Sequence, residues 1–207
     1  MNKGILLVIS GPSGVGKGTI IKRLFELDKN LSFSVSVTTR KPREGEIDGV
    51  DYCFLTREQY NSLRDSGGLL EYADFSANSY GTPKAEAEHA LNEGRDLVLD
   101  IEIQGARSVR RIMPDALLVY IVPPSFEELK KRLAGRGSET EESMKLRLDA
   151  AIRELSEAPE VYDCFVVNDC IENAADEIEA ILRLKRMGRS LPRGSGEQIL
   201  KEVISLA

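Results

Sequence analysis

The residues best suited to chemistry near the start of the chain form the glycine-rich run Gly11-Pro12-Ser13-Gly14-Val15-Gly16-Lys17. This run follows a short apolar segment, residues 5–9, and precedes a segment with helical character. Glycines allow consecutive backbone N–H groups to point into one hollow, and the N-terminus of a helix adds partial positive charge there. Lys17 supplies a mobile cation. The spacing therefore predicts a loop that binds nucleotide phosphates.

The positions next to this loop that would contact a metal ion depart from the strict pattern. Ser or Thr usually follows the lysine directly, whereas here Gly18 follows it and Thr19 comes next. Thr19 is therefore expected to act through its backbone or through a water molecule. Asp100 ends another apolar run, residues 97–99, and an aspartate in that position commonly faces Mg²⁺ or its water shell. We predict Mg²⁺ as the cofactor, contacted by Asp100 through water; the alternative is that Asp100 caps a helix.

A second set of cations and hydroxyls lies in residues 36–46 and in later segments. Arg40 and Arg43 are three residues apart, and each guanidinium can fork onto a phosphate. Tyr52 and Tyr80 lie near the ends of strand-like segments, so their hydroxyls could complete a cradle for a monophosphate. The alternative is that both arginines belong to a solvated charged turn.

The elements that must position these residues alternate between buried strands and helices. Apolar runs at residues 5–9, 97–99, 117–122 and 165–167 are typical of strands buried on both faces. Helices are predicted at residues 19–27, from 126 after a Ser125 cap, and at 84–92, 140–156 and 173–187. This order predicts an α/β fold, a parallel sheet with helices on both faces.

Residues 33–92 have a different pattern, which indicates an insertion. The alternating segment 33–37 and the segments 51–55 and 69–73 are short and half polar, as in a small mixed or antiparallel subdomain. We therefore predict one domain over residues 1–187, with a core of 1–32 and 93–187 and an insertion of about 33–92. The glycines and charges of residues 135–145 predict a mobile lid. Residues 188–207 read as a linker and a short tail with a possible helix at 198–206.

Composition excludes several classes of protein. The 207 residues carry a net charge of −6, which argues against a general nucleic-acid binder. The three cysteines have no regular spacing, so neither a disulfide framework nor a zinc site is expected. His89, the only histidine, is expected on the surface. No apolar stretch is long enough for a membrane span and the first apolar run is too short for a signal peptide, so a cytoplasmic location is expected.

Five runs together resemble the guanylate kinase family in order and spacing: GPSGVGKGT, SVTTRKPREGEIDGVDY, LLEYADFSANSYGTP, LDIEIQG and RGSETEESMKLRL. The resemblance covers about residues 4–187. It implies the phosphate-loop fold and an enzyme that transfers the γ-phosphoryl group of ATP to GMP, giving ADP and GDP. Oligomeric state does not follow from it.

The resemblance also implies roles for individual residues. The ATP site would comprise the loop residues Gly11, Pro12, Ser13, Gly14, Val15, Gly16, Lys17, Gly18 and Thr19, with Asn168 near the base. Arg132, Arg136 and Arg147 would act with Lys17 on the ATP phosphates; the alternative for Arg132 and Arg136 is a basic helix end that the helix dipole favours. The GMP phosphate would be held by Arg40, Arg43, Tyr52 and Tyr80, and the guanine read by Ser36, Glu71, Thr82 and Glu102. The family often has Asp at the position of Glu102.

The chemistry of guanine independently suits Glu71. Guanine presents two donors, N1–H and an exocyclic amino group, and an ionised carboxylate is an acceptor only. Adenine has a lone pair at N1, which the same carboxylate would repel. Hydroxyls at Ser36 and Thr82 can donate to the guanine O6 or N7. The alternative is that Glu71 is an exposed strand residue.

Three other functions compete with this interpretation. A kinase for another nucleoside monophosphate shares the loop sequence. A non-catalytic guanylate-kinase-like interaction module tends to lose the loop lysine, whereas this chain retains Lys17. A GTPase switch would read guanine through an Asn-Lys-x-Asp segment, which residues 166–170 do not match.

Overall fold

The computed structural model describes residues 3–75, 77–134 and 141–205, and its main element is a parallel sheet of five strands. The strand order is β2-β7-β1-β8-β9. The predicted α/β class is therefore confirmed. The strands of this sheet are β1 (Leu6–Ser10), β2 (Leu31–Phe33), β7 (Asp96–Asp100), β8 (Leu117–Val122) and β9 (Cys164–Val167).

Burial explains why the apolar runs form these strands. Every residue of β1 and of β8 is buried, as expected for strands that have helices on both faces. β1 and β8 are parallel, with Leu7 opposite Leu117 and Ser10 opposite Tyr120. The helices are α1 (Lys17–Leu27), α2 (Arg57–Asp65), α3 (Lys84–Asn92), α4 (Ile103–Ile112), α5 (Phe126–Ala134), α6 (Glu141–Glu157), α7 (Ile171–Arg186) and α8 (Gly196–Ser205).

A second, mixed sheet of four strands has the order β4-β3-β6-β5. β3 runs parallel to β4 and antiparallel to β6, and β5 pairs antiparallel with β6. A small apolar cluster of Val37, Tyr60 and Leu69 packs beside this sheet. The mixed sheet matches the predicted type. Its strands are β3 (Val37–Thr38), β4 (Cys53–Phe54), β5 (Leu69–Phe75) and β6 (Asn78–Pro83).

Several local predictions differ from the structure. The alternating segment 33–37 is not one strand, because residue 33 ends β2 of the parallel sheet and residue 37 begins β3 of the mixed sheet. The sequence pattern also missed β6, which contains glycine and proline, and the helices α2 and α4. In α2 only Tyr60 is buried, so the helix has no apolar stripe to reveal it. The predicted Ser125 cap is confirmed, since its Oγ accepts from the Glu128 N–H at 3.1 Å.

By its internal contacts the chain divides into two compact units. The first unit comprises Met1–Leu6, Asn30–Leu99 and Gln104–Ala116. The second comprises Leu7–Lys29, Asp100–Ile103 and Leu117–Ala207. The predicted boundaries of the insertion and the lid stay predictions, and residues 135–140 of that lid lie outside the described residues.

Within the second unit, the segment after α7 runs along β9. The Phe165 N–H donates to the Arg193 carbonyl at 2.7 Å, and the Val167 N–H donates to the Ser195 Oγ at 3.1 Å. Ser195 is held in turn by Glu177, whose carboxylate accepts from its N–H at 2.7 Å and from its Oγ–H at 2.6 Å. Residues 193–195, which the sequence predicts as part of a linker, thus form hydrogen bonds with backbone N–H groups of β9. These bonds cover an edge of the sheet that would otherwise be open.

Among the described residues, no helix combines the length and the apolar character needed to cross a membrane. The three cysteines are free thiols. The side chain of His89 is largely exposed, with its Nε2 3.3 Å from the Glu93 Oε1. The surface position predicted for this residue is therefore confirmed.

The packing of α8 predicts that the tail contributes to stability. Leu200 of α8 is buried, with 2% of its surface exposed. Leu200→Ala should lower the free energy of unfolding by about 2–4 kcal/mol, because it leaves a cavity in a packed site. Chemical denaturation measures this. Lys201→Ala on the exposed face of the same helix is the matched control and should change stability by less than about 0.5 kcal/mol; equal effects of both variants would show that the tail adds little.

Candidate active site

The glycine-rich loop joins β1 to α1, as the sequence predicts. Gly16 precedes the first residue of α1 with a φ of 99°, in the left-handed region that favours glycine. A Cβ at this position would lie 2.5 Å from the Asn168 Nδ2, so a side chain here would displace that amide from its hydrogen bond with the Val15 carbonyl. The Val15 N–H donates to the Pro12 carbonyl at 3.2 Å and closes the turn. The strand, loop and helix therefore have the arrangement that phosphate binding requires.

Lys17 lies at the first position of α1 and bends back over the loop. Its Nζ donates to the Gly11 carbonyl at 2.8 Å. The acceptor is a neutral carbonyl and not a carboxylate. The bond therefore positions the ammonium group beside the loop without neutralising its charge. The lysine is therefore placed where a phosphate bound by the loop would meet it.

Three carboxylates in the second unit share the electrostatic field of Lys17. The pKa values of Asp100 and Glu102 are raised by desolvation, although both side chains keep contact with solvent, and Lys17 partly opposes this rise. Asp100 ends β7, where the sequence predicts a residue facing a metal ion. Glu102, which the sequence predicts to read guanine, lies close to Lys17 and Asp100, since the charges of both affect its pKa.

Glu154 is a member of this group that the sequence pattern did not reveal. It lies on α6 seven residues after Arg147, so both side chains share one face of that helix. Desolvation raises its pKa to about 7, repulsion by Glu102 adds to the rise, and Lys17 opposes it. The spacing of seven from Arg147 is the signal that could have identified it.

Two arginines predicted to meet ATP phosphates contact the loop. Arg132 donates from Nη1 to the Val15 carbonyl at 3.3 Å and from Nη2 to the Asn168 carbonyl at 3.1 Å. Arg147 donates from Nη2 to the Ser13 Oγ at 2.9 Å. The structure thus brings both side chains to the loop, and their role toward the ATP phosphates stays a prediction. Arg136, the third predicted arginine, lies outside the described residues.

A cavity of about 510 Å³ lies beside the loop. Asn168, predicted to lie near the base of ATP, forms part of its wall and donates from Nδ2 to the Val15 carbonyl at 2.6 Å. The wall also contains residues 169–172, which the sequence analysis did not select. Its described lining is Gly14, Val15, Gly16, Thr19, Arg132, Asn168, Asp169, Cys170, Ile171 and Glu172.

Three of the four residues predicted to read guanine lie in one row across the mixed sheet of the first unit, whereas Glu102 belongs to the second unit. Glu71 of β5 is directly opposite Thr82 of β6. The pairing of Val37 with Gly81 and of Thr38 with Tyr80, continued by one residue, places Ser36 opposite Thr82. Opposed residues of neighbouring strands point to the same face of a sheet. The structure therefore brings Ser36, Thr82 and Glu71 together.

The Glu71 carboxylate is buried, with 4% of the residue's surface exposed. The Thr82 hydroxyl donates to its Oε1 at 2.7 Å. Burial raises the Glu71 pKa, and the hydrogen bonds from Thr82 partly oppose that rise. The alternative that Glu71 is an exposed strand residue is therefore wrong.

Three of the four residues predicted to hold the GMP phosphate form a second cluster in the first unit. The Arg40 guanidinium carbon lies 5.3 Å from the centre of the Tyr52 ring, and the rings of Tyr52 and Tyr80 are 6.1 Å apart. Tyr60, fully buried, donates from its hydroxyl to the Tyr80 carbonyl at 2.8 Å and so fixes this part of β6. Arg43, the fourth residue, is exposed.

Glu46 is the cluster member that the sequence analysis did not select. Its carboxylate pairs with the Arg40 guanidinium through two hydrogen bonds of 2.8 and 2.9 Å. It also accepts from the Arg43 N–H at 2.7 Å. The residue was visible within the run PREGE, but a spacing of six from Arg40 in a non-helical segment carries no geometric signal.

These features define a class of protein. A phosphate loop between a buried parallel strand and a helix, with arginines on the loop, is the nucleotide site of a phosphate-loop kinase. A buried carboxylate beside hydroxyls, in a unit that also carries an arginine and tyrosine cluster, suits a purine monophosphate as the acceptor.

Comparison with known proteins identifies the family. A family model described as guanylate kinase matches residues 3–185. A guanylate kinase of Oceanobacillus iheyensis is 43% identical over 203 residues, 98% of each chain, and one of Clostridioides difficile is 45% identical over 182 residues, 88% of each chain. A crystal structure of guanylate kinase from Anaplasma phagocytophilum matches with a TM-score of 0.75 and 36% identity, over 97% of this chain and 95% of that one. The chain belongs to the guanylate kinase family, and it transfers phosphoryl groups from ATP to GMP.

The raised pKa of Glu71 predicts a pH dependence of guanine binding. Only the ionised carboxylate accepts both guanine donors, so affinity for guanosine should fall as pH decreases, beginning at a higher pH than for an ordinary glutamate. Guanosine is the appropriate ligand because it lacks the phosphate that titrates near pH 6. Calorimetry from pH 4.5 to 8 measures the effect. Glu71→Gln should bind about 10–100-fold more weakly and lose the pH dependence, whereas Glu88→Gln, on an exposed part of α3, should behave as the wild type.

The pKa of Glu154 predicts a pH dependence of stability in the protein without nucleotide. A carboxyl whose pKa is about 7 when folded, against about 4.5 when unfolded, stabilises the fold fully below pH 4.5 and loses that contribution as pH rises through 7. At pH 8, Glu154→Gln should be more stable than the wild type by about 1–2 kcal/mol, after allowance for solvent screening. Denaturation at pH 5 and pH 8 tests this. Glu160→Gln is the control. An identical pH response of both variants would contradict the raised pKa of Glu154.

Proposed function

We propose that the loop cluster of the second unit binds ATP and that the mixed-sheet cluster of the first unit binds GMP. The observation that carries this assignment is the row Ser36, Thr82 and Glu71, because it presents a buried carboxylate and two hydroxyls on one face. The Arg40, Tyr52 and Tyr80 cluster supplies the charge and hydroxyls for a monophosphate.

Base selection follows from the donors and acceptors of this row. The Glu71 carboxylate would accept from the guanine N1–H and amino group, while the Ser36 hydroxyl would donate to the O6 or N7. The Thr82 hydroxyl was predicted to donate to the base as well, but its one hydrogen is donated to Glu71, so it would instead hold the carboxylate in place. Adenine would leave the buried carboxylate without a donor and face it with a lone pair. A site that relies on such hydrogen bonds can reject the wrong base by about 10⁴-fold.

On the ATP side, the proposed roles follow from the contacts with the loop. Lys17, Arg132 and Arg147 would offset the negative charge on the phosphates during transfer, since positioning and charge stabilisation supply most of the catalysis in this chemistry. The cavity beside Asn168 would receive the adenine. Arg136 is proposed to act with these arginines on the strength of the family resemblance.

Mg²⁺ is proposed as the cofactor, and the residues present suit it. Asp100 at the end of β7 offers a hard carboxylate oxygen, and Thr19 offers a hydroxyl at the loop. Among the described residues no group of three or more His, Cys, Asp or Glu side chains is arranged to hold a metal. An ion held chiefly by nucleotide phosphates and water needs only one or two protein oxygens. When bound, it neutralises charge on the phosphate oxygens.

A cytoplasmic location is proposed from the thiols. All three cysteines are free, including Cys53 and Cys170, which are partly accessible to solvent. Free accessible thiols persist in a reducing compartment.

A panel of acceptors tests the assignment of the two sites. With ATP as donor, the wild type should use GMP and show little turnover with AMP, UMP or dTMP. Glu71→Ala should lose GMP turnover by about 100-fold or more while it keeps ATP binding, because the change lies in the acceptor site only. Lys17→Ala should lose turnover with every acceptor. Glu88→Ala is the control for surface charge.

Two outcomes of the panel would reject the proposal. Comparable rates on AMP and GMP would refute base selection by Glu71. Retained GMP turnover in Glu71→Ala would show that this row does not bind the acceptor.

A further inference from the structure

We propose that Glu46 is a positioning residue for the acceptor phosphate, which holds the Arg40 guanidinium so that one chosen edge of it faces GMP. The inference rests on the proposed role of Arg40 in binding that phosphate. It concerns a residue whose contribution to the reaction does not follow from the sequence motifs.

The contact between the two side chains is bidentate and sheltered. Glu46 Oε1 accepts from Arg40 Nη2 at 2.8 Å, and Oε2 accepts from Nη1 at 2.9 Å. The Arg40 side chain is only 14% exposed and the Glu46 side chain only 19%. A paired fork of this kind restricts the direction of a guanidinium much more than a single hydrogen bond does.

The same carboxylate also organises the backbone around it. The Arg43 N–H donates to Oε2 at 2.7 Å, and the Glu46 N–H donates to the Arg43 carbonyl at 3.1 Å. One side chain thus fixes the guanidinium of Arg40 and the turn that carries Arg43. The hydrogen bonds to Arg40 and to the Arg43 N–H lower the Glu46 pKa, so the carboxylate is ionised when it makes these contacts.

Counting the N–H groups of Arg40 shows which edge is left for a ligand. A guanidinium has five N–H groups. Nη1 donates to Glu46 and to the Lys41 carbonyl at 2.8 Å, and Nη2 donates once to Glu46. The remaining pair, Nε–H and the second Nη2–H, forms the side edge of the fork. Two parallel N–H groups match two oxygens of a phosphate.

Neighbouring aromatic groups surround the guanidinium that carries this edge. The hydrogen bond to Glu46 is the largest cause of a raised Arg40 pKa, and the nearby Tyr80 hydroxyl adds to the rise. The rings of Tyr52 and Phe54 lie 5.3 and 5.7 Å from the guanidinium carbon. Glu46 therefore holds the guanidinium beside the tyrosines that are proposed to share the phosphate.

This geometry distinguishes positioning from competition. A carboxylate that occupied the phosphate site itself would compete with GMP, and its removal would tighten GMP binding. Glu46 instead takes the end edge of the fork, so a phosphate can bind the side edge at the same time. Removal of the Glu46 carboxylate should then weaken GMP binding. Without it the Arg40 side chain would adopt many orientations, and it would lose that conformational entropy when it binds the phosphate.

The test compares GMP with guanosine, which lacks the phosphate, by calorimetry. Glu46→Ala should weaken GMP binding about 10-fold or more and guanosine binding less than about 2-fold, since the lost contacts serve only the phosphate. Glu46→Gln should lie between, because its amide oxygen restores one acceptor. In steady-state kinetics the KM for GMP should rise while the KM for ATP stays unchanged. Glu44→Ala removes an exposed carboxylate from the same loop and should match the wild type.

Other results would overturn the inference. GMP binding by Glu46→Ala that is as tight as or tighter than in the wild type would exclude positioning. Equal weakening of GMP and guanosine would show a general structural effect; if the alanine variant fails to fold, the glutamine variant decides by the same ratio. A wild type that binds GMP no better than guanosine would instead refute the proposed phosphate cluster itself.

Discussion

The cations proposed to bind phosphate are held in place by hydrogen bonds within the protein, so they need little rearrangement when a phosphate arrives. Backbone carbonyls do much of the work. Lys17 is tied to the Gly11 carbonyl, Arg132 to those of Val15 and Asn168, and Arg40 to that of Lys41. A carbonyl orients a cation without cancelling its charge. Arg40 and Arg132 are each also paired with a carboxylate, that of Glu46 and that of Glu128, which takes some N–H groups of the guanidinium and leaves others.

Desolvation acts in the opposite direction on the acids of the two sites. Glu71 and Glu154 both have raised pKa values, and burial is the largest cause for each. For Glu71 this cost would serve the proposed base recognition, because a carboxylate removed from water discriminates strongly between a donor and a lone pair. For Glu154 it places a titrating group near Lys17 and the phosphate loop.

Some elements of the fold leave a local pattern in the sequence and others do not, because their physical origins differ. Strands β1, β8 and β9 were predictable because continuous apolar runs are the direct consequence of burial on both faces. The loop at residues 11–17 was predictable because glycine and lysine are needed there for the contact itself. Helix α2 was missed because only Tyr60 of its residues is buried, and β6 because Gly81 and Pro83 weaken its pattern. Glu46 was missed because nothing in its spacing shows that it meets Arg40.

The amino-acid sequence by itself determined the α/β class, the phosphate loop, the family and the set of residues proposed to contact the two nucleotides. These follow from residue type and local order, which act over a few positions of the chain. Only the tertiary structure decided which side chains share a site: the register of β3, β6 and β5 aligns Ser36, Thr82 and Glu71, and the folded turn pairs Glu46 with Arg40. The covering of β9 by residues 193–195 was likewise invisible before folding. Register, burial and pKa depend on contacts between distant segments, and such contacts exist only once the chain has folded.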